Sequence, residues 1–117
     1  MDLPQRMKMC RLIAGILFAD DDFEDREGLF LARLCKDLGL GSPEDVHPIV
    51  EARVAAMEMM ELPAEVREEA FSHLLDAACA DGKVLEAERD YLRTVAGAMG
   101  IAHEQTDQMI ALRVSFI

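Results

Sequence analysis

Acidic residues recur at one spacing in two parts of the chain. Asp20 and Glu27 lie seven residues apart, and Asp81 and Glu88 repeat that spacing 61 residues later. Carboxylate oxygens are the ligands that hard divalent cations take in proteins, so two such pairs brought together would form a cation site. The spacing therefore predicts a metal site made of Asp20, Glu27, Asp81 and Glu88.

The same acids also have a structural interpretation, at the start of a helix. Asp81 and Gly82 are typical of a turn, because Asp accepts hydrogen bonds from the following amides and glycine tolerates positive φ. A helix that begins near Leu85 places Glu88 at its third position, where the carboxylate can accept a hydrogen bond from the cap amide. Glu27 holds the matching position in the first pair. Capping alone, and capping combined with cation or partner binding, both stay open.

Both acidic pairs belong to a longer internal repeat. Residues 12–40 align without a gap with residues 73–101, and the alignment matches Gly39 with Gly100. Such self-similarity indicates a duplicated structural unit. Each unit is predicted to be a helix-turn-helix hairpin that places its two carboxylates at the turn.

Apolar residues recur with the helical period of about 3.6 residues, and no segment alternates as a strand does. We therefore predict one all-α domain over residues 1–117, with six to seven helices that include the two duplicated hairpins. The first helix of each hairpin leads to the turn, and the second ends at a glycine. Further helices are predicted to start at Ser42, from Pro48 to about Met60, from Pro63 to about Ala80, and from about Glu104 to Val114.

The chain is strongly acidic, with 23 Asp and Glu against 12 Lys and Arg, for a net charge of −11. That charge repels phosphate backbones, which makes nucleic acid an unfavourable partner and favours cations or a basic protein surface. No stretch approaches the ~20 apolar residues that span a bilayer, so no membrane insertion is predicted. The apolar run from Leu12 to Ala19 is expected to be the first core helix and not a signal peptide.

Residue combinations typical of catalysis are sparse. His73 shares a helix face with Glu69 and Asp76, a set that could ligate zinc or orient a general base. No second histidine lies at ligand spacing, so a surface histidine is the favoured interpretation. No Ser or Cys nucleophile has a recognisable partner and there is no glycine-rich phosphate loop, so the chain is predicted not to be an enzyme.

The chain has three cysteines at wide spacing: Cys10, Cys35 and Cys79. Cys35 and Cys79 fall within apolar stripes, so buried free thiols in a reducing cytoplasm are expected.

A cluster of three methionines has three interpretations, which are core filling, copper(I) ligation and an adaptable surface for a partner helix. The three residues are Met57, Met59 and Met60. Core filling is the favoured interpretation, and at least one of the three is expected near the surface.

The segment Ala80-Asp81-Gly82-Lys83-Val84 with Glu88, followed by an apolar stripe that ends at Met99-Gly100-Ile101, resembles the signature of the tellurite-resistance TerB-like family. Because both copies match, the resemblance runs from about residue 6 to residue 114. Related domains precede the J-domain in membrane-anchored DnaJ-like co-chaperones. The resemblance implies a cytoplasmic, internally duplicated all-helical domain linked to chemical-stress responses, often near membrane partners. The family's turn acids correspond by position to Asp20, Glu27, Asp81 and Glu88.

Two departures from the family pattern affect these expectations. Leu85 stands where a capping Ser, Thr or Asp is usual, which weakens that cap, and Asp21-Asp22 replaces Gly-Lys in the first copy. We expect a non-enzymatic cytoplasmic stress-response module whose acidic turns bind a divalent cation or a basic protein partner, membrane-associated partners included. The alternative is a homodimerising scaffold without a metal site, whose apolar patch involves the three methionines.

Overall fold

The computed structural model describes residues 1–19, 25–41, 46–80 and 82–115, with the backbone alone for residues 25–27. Within these ranges all regular structure is helical, so the all-α prediction is confirmed. Six helices lie in the described part: α1 Leu3–Phe18, α2 Asp25–Asp37, α3 Ala52–Met60, α4 Ala64–Cys79, α5 Glu86–Ala98 and α6 His103–Val114.

The two hairpins, α1–α2 and α4–α5, have helices of equal length with bounds that differ by 61 residues throughout. α1 and α4 each have 16 residues, and α2 and α5 each have 13. Their C-terminal caps also match: the Leu40 amide donates to the Cys35 carbonyl, and the Ile101 amide donates to the Ala96 carbonyl. Gly39 and Gly100 supply the positive φ, 69° and 84°, that this helix ending requires.

The helix starts follow from local sequence. At α1 the Asp2 carboxylate accepts a hydrogen bond from the Gln5 amide, and the Gln5 side chain accepts one from the Asp2 amide, which together form a capping box. α4 follows Pro63 and α6 begins at His103, each within one residue of the predicted start. These boundaries need no tertiary contact, because caps and proline act on adjacent residues.

Most buried apolar side chains form one main core between α1, α3, α4, α5 and α6. α1 packs against α4, its counterpart in the other repeat, and α3 packs along α5. The largest fully buried side chains include Leu12, Ile13, Met59, Leu74, Leu92 and Ile110. A smaller second cluster lies between α1 and α2, and its buried members are Cys10, Ala14, Leu31, Cys35 and Val46.

The helix predicted from Pro48 is wrong at its start, because residues 46–51 are not helical and α3 begins at Ala52. The segment instead crosses α1. The Ile49 amide donates to the Arg11 carbonyl at 3.1 Å, and the Arg11 side chain donates to the His47 carbonyl at 2.9 Å. Backbone groups used in this way are not available for a helix. The helix start predicted at Ser42 lies outside the described residues.

The crossing is possible because α1 carries a glycine at the contact. A Cβ atom on Gly15 would lie 2.0 Å from the Ile49 carbonyl oxygen and 2.8 Å from the Tyr91 hydroxyl oxygen. Tyr91, from α5, donates its hydroxyl hydrogen to that same carbonyl at 2.6 Å. One glycine, one backbone carbonyl and one tyrosine therefore join α1, the crossing segment and α5.

Candidate functional site

The second hairpin turn connects α4 with α5. Beyond Cys79 the chain leaves the helix, and the Gly82 amide donates to the Cys79 carbonyl at 3.0 Å. Gly82 has a φ of 79°, a conformation that costs glycine little and other residues much. The prediction of a glycine turn at this point is therefore confirmed.

Glu88 occupies the third position of α5 and closes the start of the helix. Its Oε1 accepts a hydrogen bond from the Leu85 amide at 3.1 Å, and the residue is only 8% exposed. A carboxylate here is also stabilised by the positive end of the helix dipole. Leu85 itself makes no side-chain cap, so the capping box has one of its two bonds. The capping interpretation of Glu88 is confirmed.

Charges of both signs surround the second turn. Burial is the main cause of a raised pKa at Cys79, and the negative charges of Asp76 and Glu88 raise that pKa further. The positive charges of Arg113 and Arg89 act in the opposite direction. Arg113 also lies 3.3 Å from an Asp76 oxygen. α6 thus brings a further cation, distant in sequence, to the second turn.

Three of the four predicted metal ligands cannot be placed. Asp20, Asp81 and the side chain of Glu27 lie outside the described residues, so Glu88 alone has a defined position. Among the side chains that are described, no three of His, Cys, Asp or Glu lie close enough together to hold a metal ion. The four-carboxylate site stays a prediction.

His73 is an exposed surface residue, in line with the favoured interpretation. Its Nε2 atom lies 4.0 Å from a Glu69 oxygen, and both side chains are about half exposed. Asp76, the third member of the sequence pattern, pairs with Arg113 instead. Imidazole and carboxylates therefore do not converge on one point.

The methionine cluster divides between core and surface. Met59 is fully buried, whereas Met57 is 69% and Met60 is 41% exposed. The expectation that at least one lies near the surface is confirmed. The predicted apolar patch was wrong to include Met59, because a helix turns successive residues towards different faces. Val54 takes its place beside Met57, and it is 41% exposed.

Sequence reasoning missed Arg113 as a cation beside the second turn. Arg113 lies 25 residues after Glu88, on a different helix. It also donates a hydrogen bond to the Ser72 hydroxyl at 2.9 Å. No spacing rule links residues on α4 and α6, so the sequence offers no signal for this contact.

No helix in the described ranges is both long enough and apolar enough to cross a membrane.

The family model described as Tellurite resistance protein TerB matches residues 49–111, which is more than half of the chain. The match contains α3, α4 and α5 and most of α6, whereas α1 and α2 precede it. No curated protein and no solved structure matches the chain.

Proposed function

The chain belongs to the TerB tellurite resistance family, and we propose that it fulfils its tellurite-resistance-related role as a non-enzymatic module that binds a divalent cation through the acids of its two hairpin turns. The ligands would be Asp20 and Glu27 from the first turn and Asp81 and Glu88 from the second. The same acidic surface would attract a basic protein partner, membrane-associated proteins included. Free cysteines support a cytoplasmic location.

The observation that carries the proposal is the position of Glu88. Its carboxylate accepts a hydrogen bond from the Leu85 amide at the start of α5, next to the second turn. This turn lies inside the part of the chain that matches the family. A carboxylate that is already ordered loses little side-chain entropy when it ligates a cation. Asp81 precedes it at the same turn, and oxygen ligands of this type suit calcium, magnesium and manganese.

The overall charge supports the same proposal. A net charge of −11 concentrates cations around the protein and speeds association with basic surfaces. The described residues around the second turn include two arginines, Arg89 and Arg113, which offset part of the local negative charge. The arrangement of the carboxylate oxygens would then hold a bound cation, in addition to the attraction of the protein's net negative charge.

Calorimetric titration of the metal-stripped protein with calcium, magnesium, manganese and zinc tests the proposal. We expect saturable binding of at least one cation, lost in the variant that combines Asp20→Asn with Asp81→Asn. The matched control combines Glu51→Gln with Glu68→Gln, which removes the same charge from exposed positions away from the turns. The control should keep the binding, because ligand atoms and not net charge are what the site needs.

Two outcomes would contradict the proposal. One is the absence of heat with every ion from a sample whose circular dichroism shows intact helices, which would leave the acids as caps. The other is equal loss of binding in the control variant, which would mean that the cation responds to net charge alone. Helical content measured for both variants separates loss of ligands from loss of fold.

A second candidate function is a homodimerising scaffold, favoured by exposed apolar residues on α3. Val54 and Met57 are exposed on this helix, and Val50 just before it is 47% exposed. Size-exclusion chromatography with light scattering over a concentration series would detect the dimer. Met57→Glu should then shift the equilibrium to monomer, whereas Leu29→Glu, at an exposed position of α2, should not.

A further inference from the structure

Two of the three cysteines meet in the second cluster, between α1 and α2. The Sγ atoms of Cys10 and Cys35 lie 3.6 Å apart, and the residues are 0% and 1% exposed. Cys79 belongs to the main core, at the end of α4. All three are free thiols.

The contact between the two sulfurs is specific to the first repeat. The equivalent positions 61 residues later are Phe71 and Ala96, which are both buried. The second hairpin thus fills the same place with an apolar pair. Nothing in the packing of such a hairpin calls for sulfur at these two positions, because carbon side chains serve in the other copy.

We propose that Cys10 and Cys35 form an intramolecular disulfide under oxidation by a peroxide, and that this bond fixes α2 on α1. One thiolate attacks the peroxide, the O–O bond breaks, and a sulfenic acid forms with release of water. The second thiol then displaces the sulfenic oxygen, which leaves as a second water when the S–S bond forms. The two sulfurs lose two electrons and two protons in total, and hydrogen peroxide gains both.

Burial determines how the reaction must start. Burial, followed by the neighbouring Cys35 thiol, raises the pKa of Cys10 to about 12, so the closed protein contains very little thiolate at this position. α2 packs mainly on α1. Opening of α2 exposes both sulfurs at the cost of the contacts that Leu34 and Leu38 make with the main core, and its reclosure brings the sulfurs together.

The bond would have a local consequence for the first acidic turn. The loop closed by a Cys10–Cys35 disulfide contains Asp20 and Glu27. A cross-link restricts the opened states of that loop far more than its closed state. The disulfide would form whether or not the turn acids bind a cation, so its test is separate from the calorimetric one.

Peptide mapping of the oxidised wild-type protein is the direct test. Reduced protein is treated with hydrogen peroxide, remaining thiols are alkylated, and the chain is digested with trypsin without reduction. We expect the peptide of residues 9–11 linked to that of residues 34–36, with the peptide of residues 68–83 alkylated at Cys79. The linked pair should weigh about 2 Da less than the sum of the two reduced peptides, and dithiothreitol should restore both thiols.

Two variants and a thermal measurement complete the test. Cys35→Ala should abolish the mass loss and is expected to fold, since Ala96 occupies the equivalent position. Cys79→Ala should keep the mass loss. The oxidised wild-type protein should have a higher Tm than the reduced protein, because the bond joins helices that are already in contact.

Four results would overturn the proposal. The first three are a cross-link that includes Cys79, a cross-link only between chains, and a lower Tm in the oxidised protein. A lower Tm would mean that the bond forms in the unfolded chain and distorts the hairpin. Complete alkylation of Cys10 and Cys35 after a peroxide treatment that oxidises the protein's exposed Met57 would also overturn it.

Discussion

α2 and α5 are equivalent helices of the two repeats, yet they have different surroundings. Both have 13 residues, and a glycine with positive φ, Gly39 or Gly100, follows the end of each. α5 packs against α3, α4 and α6, whereas α2 packs mainly on α1. Tyr91 of α5 is 1% exposed, and its counterpart on α2, Phe30, is 37% exposed.

Helix formation and helix burial therefore have separate causes in this chain. Caps and periodicity are local, so a duplicated sequence forms the same helices twice. Burial depends on the elements that cover each hairpin. α3 and α6 both pack against α5, and the second repeat therefore forms the centre of the main core.

Truncation of the equivalent leucine in each repeat should show the largest difference between α2 and α5. Leu92→Ala removes a fully buried side chain from the main core, and we expect it to lower the free energy of unfolding by about 4 kcal/mol. Leu31→Ala opens only the second cluster, which can collapse more easily, and should cost about 2 kcal/mol. Urea unfolding followed by circular dichroism measures both. Equal losses would mean that α2 is as firmly held as α5.

A glycine pair tests the crossing of residues 46–51 over α1. Gly15→Ala should lower the free energy of unfolding by about 3 kcal/mol, since its Cβ would overlap the Ile49 carbonyl. The control is Gly97→Ala on α5, where a Cβ meets nothing within 4 Å. The control should gain up to about 1 kcal/mol from helix propensity. A tolerated Gly15→Ala would show that the crossing segment moves freely.

The tyrosine hydroxyl provides a smaller test of the same junction. Tyr91→Phe removes the hydrogen bond to the Ile49 carbonyl and should cost about 1.5 kcal/mol, because that carbonyl stays buried without its donor. Phe30→Tyr, the reciprocal change in the first repeat, should be close to neutral at a partly exposed position. Thermal and urea unfolding of the two variants, measured side by side, sharpen the contrast between the repeats.

The smallest expected effect concerns the ion pairs between α5 and α6. Arg93 donates two hydrogen bonds to the Asp107 carboxylate, at 2.9 and 2.7 Å, and these lower the pKa of Asp107 below its usual 3.8. A lowered pKa stabilises the folded state above about pH 3.8, and this contribution is lost as the pH falls through the lowered value. Asp107→Asn should therefore be less stable than the wild-type protein at pH 7, with a difference that shrinks as the pH falls below about 3.8.

The control for this last effect is Asp90→Asn. Asp90 also neighbours Arg93, but at 4.0 Å and with its side chain 65% exposed. At pH 7 Asp90→Asn should lower the free energy of unfolding less than Asp107→Asn does, because an exposed ion pair at this distance contributes little. The first repeat has Gly28 and Ala32 at the positions equivalent to Arg89 and Arg93. The ion pairs with α6 are thus absent from the described contacts of α2.

Local features of the fold and of the site were predictable from sequence. The start of α4 after Pro63, the positive φ of Gly82 and the cap bond of Glu88 all involve residues close together in the chain. The helix predicted from Pro48 was wrong at its start because contacts with a distant part of the chain determine the backbone there. Pro48 suits the first turn of a helix, but backbone groups of His47 and Ile49 bond to Arg11 of α1, 36 or more residues away.

The repeat, its helix caps and the acidic composition could be read from the sequence, because they depend on neighbouring residues and on simple counts. Tertiary structure alone decided which copy forms the centre of the core and where the chain crosses α1 at Gly15. It also decided that Cys10 meets Cys35, and that Arg113 lies beside Asp76. Such contacts join residues far apart in the chain, and their energies depend on which atoms packing brings together.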